Sequence, residues 1–211
     1  MKKIIFTFLA LVGTMSMNAQ VIEVYKDNVL VAKYKSAEAN NVVFKEELGT
    51  TGKTKATIGG SEVAVNWVQL WEDGPRFAEY NVDGEMTFTD AIKTGTEFVW
   101  GAKWRTPSKE EFNELLRAAN GESDSVTCKY EQVNGVWGFN FTGKGDYAGN
   151  SVFFPAPGCN SDGGGADYWS GTADGGKGWR MNLFWYIKHW SSEWLSNDQN
   201  NKYLVRPMLA E

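Results

Sequence analysis

The chain has 211 residues, of which 42% are hydrophobic, and its formal net charge is -5 at pH 7. This length suits one domain of ordinary size with a small appendage, and the hydrophobic content is enough for a proper core. An acidic protein is repelled by nucleic acid and by an anionic membrane surface, so we expect it to bind neither. The unusual residues are 10 tryptophans and 23 glycines, which indicate tight loops held by large aromatic side chains.

The first residues have the pattern of a secretory signal peptide. Lys2 and Lys3 form its positive start, Ile4 to Val12 its apolar segment, and Ala19 ends a small-residue cleavage site. The apolar segment is too short to span a bilayer, and no later stretch is long enough either. The sequence therefore predicts a signal peptide over 1–19 and no membrane insertion.

The cysteines bear on the final location. A lipoprotein needs a cysteine at the cleavage site, whereas the chain's two cysteines are Cys128 and Cys159. We therefore expect a periplasmic, cell-surface or secreted protein that is not a lipoprotein.

Residues 20–48 are predicted to form a small N-terminal β unit. Apolar runs at 21–25 and 29–34 flank Asp27-Asn28, a natural two-residue turn, and predict a hairpin. A third strand is expected at 41–45. Such a unit buries too little surface to be stable alone, so we expect it to dock on the main domain or on a partner.

The main domain is predicted to span 55–211, after a Gly- and Thr-rich linker at 49–54. Strand candidates at 55–58 and 62–67 flank two glycines, and the second alternates as a half-buried strand does. A short helix over Ala91 and Ile92 is expected, capped by the Thr-Asp pair that precedes it.

A second helix, over 108–121, has the strongest local signals in the chain. Ser108 follows a proline and is a typical N-cap, and Glu111 completes a capping box. Phe112, Leu115, Leu116 and Ala119 form one apolar stripe, and an Asn-Gly pair ends the helix. Lys109 lies outside this stripe, so Lys109→Ala is expected to change the stability of the protein very little.

A hairpin is predicted where Asn134-Gly135 joins apolar runs at 126–133 and 136–142, with a third strand at 151–156. In this meander Cys128 and Cys159 lie at opposite ends. A disulfide needs Cα atoms within about 7 Å of each other, so unpaired cysteines are favoured over the alternative of a bridge.

Five short motifs, which together cover about residues 63–208, resemble a known family. They are Trp-Gly-x-x-Trp-Arg-x-Pro-x-x-x-Glu-Phe-x-Glu-Leu-Leu from Trp100, Asn134-Gly-Val-x-Gly-Phe139, Gly149-Asn-Ser-Val-Phe-Phe-Pro-Ala156, Tyr168-Trp-Ser-Gly-Thr172 and Val205-Arg206-Pro207. Their order resembles the Fibrobacter succinogenes major paralogous domain family, found in surface proteins of gut anaerobes. That family resembles the formylglycine-generating-enzyme branch of the C-type lectin-like fold.

The resemblance implies an α+β fold: a C-type lectin-like domain with one or two helices and short antiparallel strands, preceded here by the β-hairpin unit. It also implies that the last strand, at about 203–209, pairs with the first strand of the domain. The long looped region before that last strand would be the ligand-facing surface.

The region after Cys159 is rich in glycine and tryptophan. Trp169 and Trp179 are predicted to lie in the core, because large aromatics usually fill interiors. The run 184–194 holds too many consecutive aromatics for one buried face, so we expect some of them, including at least two of its tryptophans, to be exposed. Aromatics beside short amides and carboxylates are typical of a recognition surface. The predicted ligand-binding residues are Trp185, Tyr186, His189, Trp190, Trp194, Asn197, Asp198 and Asn200.

The predicted function is an exported, non-catalytic recognition module for a glycan or a protein. An alternative is an accessory or tip subunit of a surface fibre, contacted through the N-terminal β unit. The resemblance adds another: a variable target protein of a diversity-generating retroelement.

A residual enzyme of the formylglycine-generating type is the least favoured alternative. That branch uses paired cysteines, and Cys128 and Cys159 do not match their positions. His189 is the single histidine in the sequence, so no histidine cluster or histidine-based zinc site can form. We therefore expect no catalytic residue, metal or cofactor.

Overall fold

A computed structural model describes residues 21–26, 29–35, 50–186 and 188–210. The chain divides into two compact units, Met1–Glu47 and Leu48–Glu211. In the first unit, β1 (Val21–Lys26) and β2 (Val29–Lys35) pair antiparallel, which confirms the predicted hairpin. The predicted signal peptide and the strand expected at 41–45 lie outside the described residues.

The second unit is mostly β. In its described part, strand accounts for 51% of the residues and helix for 13%, so the predicted α+β class is wrong. Its helices are α1 (Phe88–Ala91) and α2 (Lys109–Ala119). Its strands are β3 (Thr51–Ile58), β4 (Ser61–Val68), β5 (Phe77–Ala78), β6 (Met86–Thr87), β7 (Trp104–Arg105), β8 (Val126–Val133), β9 (Val136–Gly143), β10 (Ser151–Pro155), β11 (Gly164–Asp174), β12 (Lys177–Tyr186), β13 (His189–Asp198), β14 (Lys202–Tyr203) and β15 (Met208–Leu209).

Much of the excess strand lies where the sequence predicted loops. The segment from Gly164 to Asp198 forms a sheet of three long strands in the order β11-β12-β13. The glycines at 175 and 176 occupy the tight turn between β11 and β12, with φ 58° at Gly175. A glycine-rich composition was therefore a signal for turns between strands, and it did not exclude long strands on either side.

A five-stranded sheet of order β3-β4-β5-β15-β7 carries both ends of the second unit. Met208 pairs with Phe77 on one side and with Arg105 on the other. The predicted pairing of the first and last strands is therefore wrong, because β4 and β5 lie between them. Residues 51–54 of the predicted linker also belong to β3, because all of β3 pairs with β4.

The helix α2 confirms its prediction at both ends. The Ser108 hydroxyl accepts a hydrogen bond from the Glu111 amide at 3.2 Å, and the Glu111 carboxylate accepts one from the Ser108 amide at 2.7 Å. Phe112, Leu115 and Leu116 are buried as the stripe requires. The fourth buried position is Ala118, whereas the predicted Ala119 is only half-buried.

The short helix α1 forms, but it begins at Phe88, earlier than predicted, and the predicted helical residue Ile92 is its C-cap. Thr87 is the N-cap, and its side chain accepts from the Asp90 amide at 3.3 Å. The Asp90 carboxylate in turn accepts from the Thr87 hydroxyl at 2.8 Å. The residues predicted to cap the helix, Thr89 and Asp90, lie inside its first turn.

The predicted meander is confirmed as a sheet of order β10-β9-β8. Asn134 and Gly135 have φ of 49° and 84°, as a two-residue hairpin turn with positive φ at both positions requires. This sheet packs with α2 and the inner face of β11–β13 around one cluster of buried residues, which includes Phe77, Phe112 and Phe154. A second cluster, around Trp104 and Trp169, lies under the five-stranded sheet and α1. No described helix is long and apolar enough to cross a bilayer.

Candidate functional site

Alternation along β12 divides its side chains between two faces. Trp179, Met181, Leu183 and Trp185 share the face that packs on the core, and Met181 and Leu183 are fully buried. Across the ladder, Trp194 pairs with Met181 and Trp190 pairs with Trp185, so both belong to the same inner face.

The three tryptophans of the predicted binding segment are all half-buried. Trp190 meets Phe141 edge-on at 5.8 Å, and Trp194 lies 6.4 Å from Phe112. The expectation that at least two of them are substantially exposed is therefore wrong. The reason is the strand geometry: alternate aromatics of the run turn inward, and only the intervening ones face outward.

Trp169 and Trp179 were both predicted to be core residues. Trp169 is fully buried and its indole N–H donates to the Met86 carbonyl at 2.8 Å, which confirms the first prediction. Trp179 is only half-buried, so the second prediction is wrong, and the Lys109 ammonium lies 3.3 Å from its ring centroid.

An open cleft of about 340 Å³ lies between β8 and the turn that joins β12 to β13. We call it the aromatic cleft. It is lined by Cys128, Lys129, Tyr130, Glu131, Trp185, Lys188, His189 and Trp190.

Two residues of the lining, Tyr130 and Trp185, belong to a stack of three rings. Tyr130 lies between Trp137 and Trp185, with centroid distances of 5.2 and 5.3 Å and interplanar angles of 22° and 14°. The Tyr130 hydroxyl donates to the Asn160 carbonyl at 2.8 Å, which fixes its ring. The stack therefore offers rigid, partly solvent-accessible aromatic surface without any rearrangement.

The charged groups of the aromatic cleft are unevenly paired. The Glu131 carboxylate accepts a hydrogen bond from the Asn140 amide at 2.6 Å. Lys129 and Lys188 are exposed, and neither ammonium has an ion-pair partner within the described residues. Alternation along β8 places Lys129 on the face opposite Tyr130, across from Asn140, so Lys188 is the cation left to a ligand beside the aromatic rings.

Cys128 also lines the aromatic cleft, and both it and Cys159 are free thiols. Burial, reinforced by the negative charge of Glu131, raises the pKa of the Cys128 thiol far above its ordinary value. The nucleophilic form of cysteine is the thiolate, so this thiol is not activated for attack at neutral pH. The sequence favoured unpaired cysteines over a disulfide, and the structure agrees with that preference.

The eight predicted site residues separate into several places. Trp185, His189 and Trp190 meet in the aromatic cleft, whereas Tyr186 is 69% exposed and shares the outer face of the sheet with Asn197. Asn197 accepts from the Arg180 guanidinium at 2.7 Å.

The other predicted site residues have structural partners. The Trp194 indole N–H donates to the Asn113 side chain at 2.8 Å, which ties β13 to α2. The Asp198 carboxylate accepts from the Asn200 amide at 2.8 Å, a local bond that shapes the turn after β13. These contacts account for Trp194, Asp198 and Asn200 without a ligand.

The sequence did not identify the residues that β8 contributes to the aromatic cleft. Tyr130, Lys129 and Glu131 come from β8, more than fifty residues before Trp185, and no short-range pattern connects the two segments. The signal for Lys188 was present, since it sits inside the aromatic run, but a single lysine between aromatics did not stand out.

A larger surface depression of about 490 Å³ lies near α1. Its charged lining includes Asp90, which accepts hydrogen bonds from Lys93 and Thr87, both at 2.8 Å. These bonds lower the pKa of the Asp90 carboxyl below its ordinary value. Because its central charges neutralise one another and its lining has no ring system, this depression is the weaker candidate.

Among the described residues, no group of three or more histidine, cysteine or acidic side chains is placed to hold a metal ion. Comparison with protein-family models, with curated proteins and with solved structures finds no match for this chain.

Proposed function

We propose that the protein is an exported, non-catalytic recognition module that binds a glycan in the aromatic cleft. The observation that carries the proposal is the stack of Trp137, Tyr130 and Trp185, of which the last two line the cleft beside Lys188, whose ammonium has no ion-pair partner among the described residues. Export rests on the signal-peptide pattern of residues 1–19.

A sugar ring suits such a cleft for two physical reasons. Its C–H faces are apolar and pack on aromatic rings, whereas its hydroxyls need hydrogen-bond partners at the edge. A wall held by stacking and by the bond from Tyr130 to Asn160 loses little conformational freedom when a ligand binds, so more of the contact energy appears as affinity.

Catalysis is not part of the proposal. The Cys128 thiol is held in its protonated form by burial, and thiol chemistry requires the thiolate. A protein ligand and membership of a surface fibre stay predictions. The fibre hypothesis depends on the β1–β2 hairpin, whereas the glycan hypothesis depends on the aromatic cleft.

The test compares two half-buried tryptophans on the same face of β12. Trp185→Ala removes one end of the stack, whereas Trp179→Ala removes a ring that lies outside the aromatic cleft. We expect a glycan array to identify a ligand for the parent protein. Calorimetry should then show that Trp185→Ala weakens binding by at least ~2 kcal/mol, as loss of a central aromatic anchor does. Trp179→Ala should bind as the parent does.

Both variants lose packing, so thermal melts are needed beside the binding data. Equal loss of binding in the two variants, in proportion to their loss of stability, would contradict the proposed site. Absence of binding to any glycan on the array would contradict the function itself.

A further inference from the structure

Lys188 has an unusual backbone conformation. Among the described residues, four that are not glycine have positive φ: Asp73, Asp124, Asn134 and Lys188, the last at 59°. Aspartate and asparagine tolerate the left-handed region, because their short polar side chains bond locally. Lysine gains no such compensation, and glycine or asparagine would relieve the strain.

A strained residue that persists at the edge of a cleft suggests that its side chain is needed there. Lys188 is exposed at the turn between β12 and β13, where it lines the aromatic cleft together with Lys129. The turn would form more easily without a lysine, so the structure of the turn does not account for it.

The charge around the aromatic cleft is opposite to that of the whole chain. The chain carries a net charge of -5, yet the Lys188 ammonium at the aromatic cleft has no ion-pair partner among the described residues. The acidic residue of the lining, Glu131, has its carboxylate held by Asn140 at 2.6 Å. His189 adds an imidazole that can donate a hydrogen bond. A neutral ligand would leave the Lys188 ammonium without a counter-charge.

We infer that the aromatic cleft selects glycans that carry an anionic group, a carboxylate or a sulfate ester, and that Lys188 determines this selectivity. The inference rests on the proposed function and adds the chemical class of the ligand. The sugar ring packs on the exposed aromatic surface, and its anionic substituent lies beside the Lys188 ammonium.

The experiment uses matched pairs of probes on the full chain. Oligogalacturonate is compared with its methyl ester, and a κ-carrageenan oligosaccharide, whose charge comes from sulfate esters alone, with its neutral desulfated form, so that charge changes while the sugar skeleton is kept. We expect at least one anionic probe to bind, its neutral counterpart to bind at least about fivefold more weakly, and the affinity to fall with added salt.

Variants then assign the selectivity to one side chain. Lys188→Gly removes the charge and the strain, so it should keep or raise the melting temperature while weakening binding of the anionic probe about fivefold or more. Lys188→Arg should retain binding. Asn134→Gly relieves strain at the other hairpin turn, Lys103→Ala removes a distant exposed lysine, and neither should change affinity.

The outcomes separate the two proposals. If neutral and anionic probes bind equally, or Lys188→Gly binds like the parent, the selectivity is wrong while the glycan function stands. If neither the probes nor the array glycans bind, the proposed function is wrong as well. Binding that follows the sulfate pair and not the ester pair, or the reverse, identifies the anionic group.

Discussion

At the scale of single residues, Glu111 shows how one side chain can serve two neighbours. Its carboxylate caps α2 through the Ser108 amide and forms a bidentate pair with the Arg105 guanidinium, at 2.5 and 2.7 Å. Burial pushes the pKa of this carboxyl upward, but the bonds from Arg105 and Ser108 outweigh burial, and the pKa lies below its ordinary value. The residue therefore joins helix capping to the strand β7.

The lowered pKa sets the sign of a pH dependence. The folded state binds this proton less readily than the unfolded state does, so the contribution of Glu111 is present above its unfolded pKa of about 4.3 and is lost as the pH falls through the folded pKa. We expect Glu111→Gln to lower the free energy of unfolding at pH 7 by roughly 1–3 kcal/mol, and to flatten its decline on acidification.

The measurement is urea unfolding at a series of pH values between 7 and 3. Glu114→Gln is the matched control, since Glu114 is an exposed acid on the same helix. A Glu111→Gln variant that declines with acid as steeply as the parent would mean that the capping carboxylate does not carry this pH dependence.

At the scale of elements, Lys109 makes contacts that helical spacing did not predict. It falls off the apolar stripe of α2, but its ammonium lies 3.3 Å from the Trp179 centroid and its amide donates to the Thr172 hydroxyl at 2.9 Å. The helix therefore contacts β11 and β12 through its first turn as well as through its stripe. Spacing predicts which residues face the core, but it does not reveal a cation placed on a ring from another element.

We expect Lys109→Ala to lower the free energy of unfolding by about 0.5–2 kcal/mol, because a partly desolvated cation–π contact is lost. Leu115→Ala should cost about 2–5 kcal/mol, because Leu115 is fully buried in the core. Chemical unfolding of both variants, with the exposed Glu114→Ala as the control, measures the difference. If Lys109→Ala matches the control, the contact with Trp179 contributes no stability.

The elements that could be predicted are those with signals inside a few residues. The Asn134-Gly135 turn and the Ser108–Glu111 capping box each occupy four residues or fewer, and both hairpin and helix were located correctly. The sheet β11–β13 was missed because its glycines indicated loops and its aromatics fall on both faces. Its inner face becomes recognisable only when Trp185 is paired with Trp190 and placed against β8.

At the scale of the whole molecule, Arg206 joins segments that are far apart in sequence. It is fully buried, and its guanidinium donates to the carbonyl of Ala78 in β5, at 2.9 Å, and to the carbonyl of Phe153 in β10. The same group lies 5.0 Å from the Phe154 ring centroid. The Arg206 side chain thus bonds to carbonyls on two different sheets.

We expect Arg206→Met, which largely keeps the volume, to lower the free energy of unfolding by roughly 2–5 kcal/mol, because one buried and one partly buried carbonyl lose a charged donor. Urea unfolding followed by circular dichroism measures the change, and Arg117→Met replaces an exposed arginine as the control. A variant as stable as the parent would mean that burying the charge costs as much as its bonds contribute.

Much of this long-range organisation could not be read from the sequence. The resemblance implied a last strand at about 203–209, but the partner of that strand was predicted incorrectly. Met208 pairs with residues near positions 77 and 105, and each two-residue strand carries too little pattern to identify a partner. The aromatic cleft could not be predicted either, because the strands that form its two sides come together only when the sheets pack.

The position of β15 between β5 and β7 has a consequence for the order of events during synthesis. Ala78 and Trp104 leave the ribosome long before Arg206 and Met208, and at roughly 5–20 residues per second this delay lasts several seconds or more. During that interval the slot between β5 and β7 is open, and its strands lack the ladder partners they have in the native sheet. The sheet can therefore close only after Met208 and Leu209 have emerged, and until then the facing edges of β5 and β7 are open to pairing with other strands.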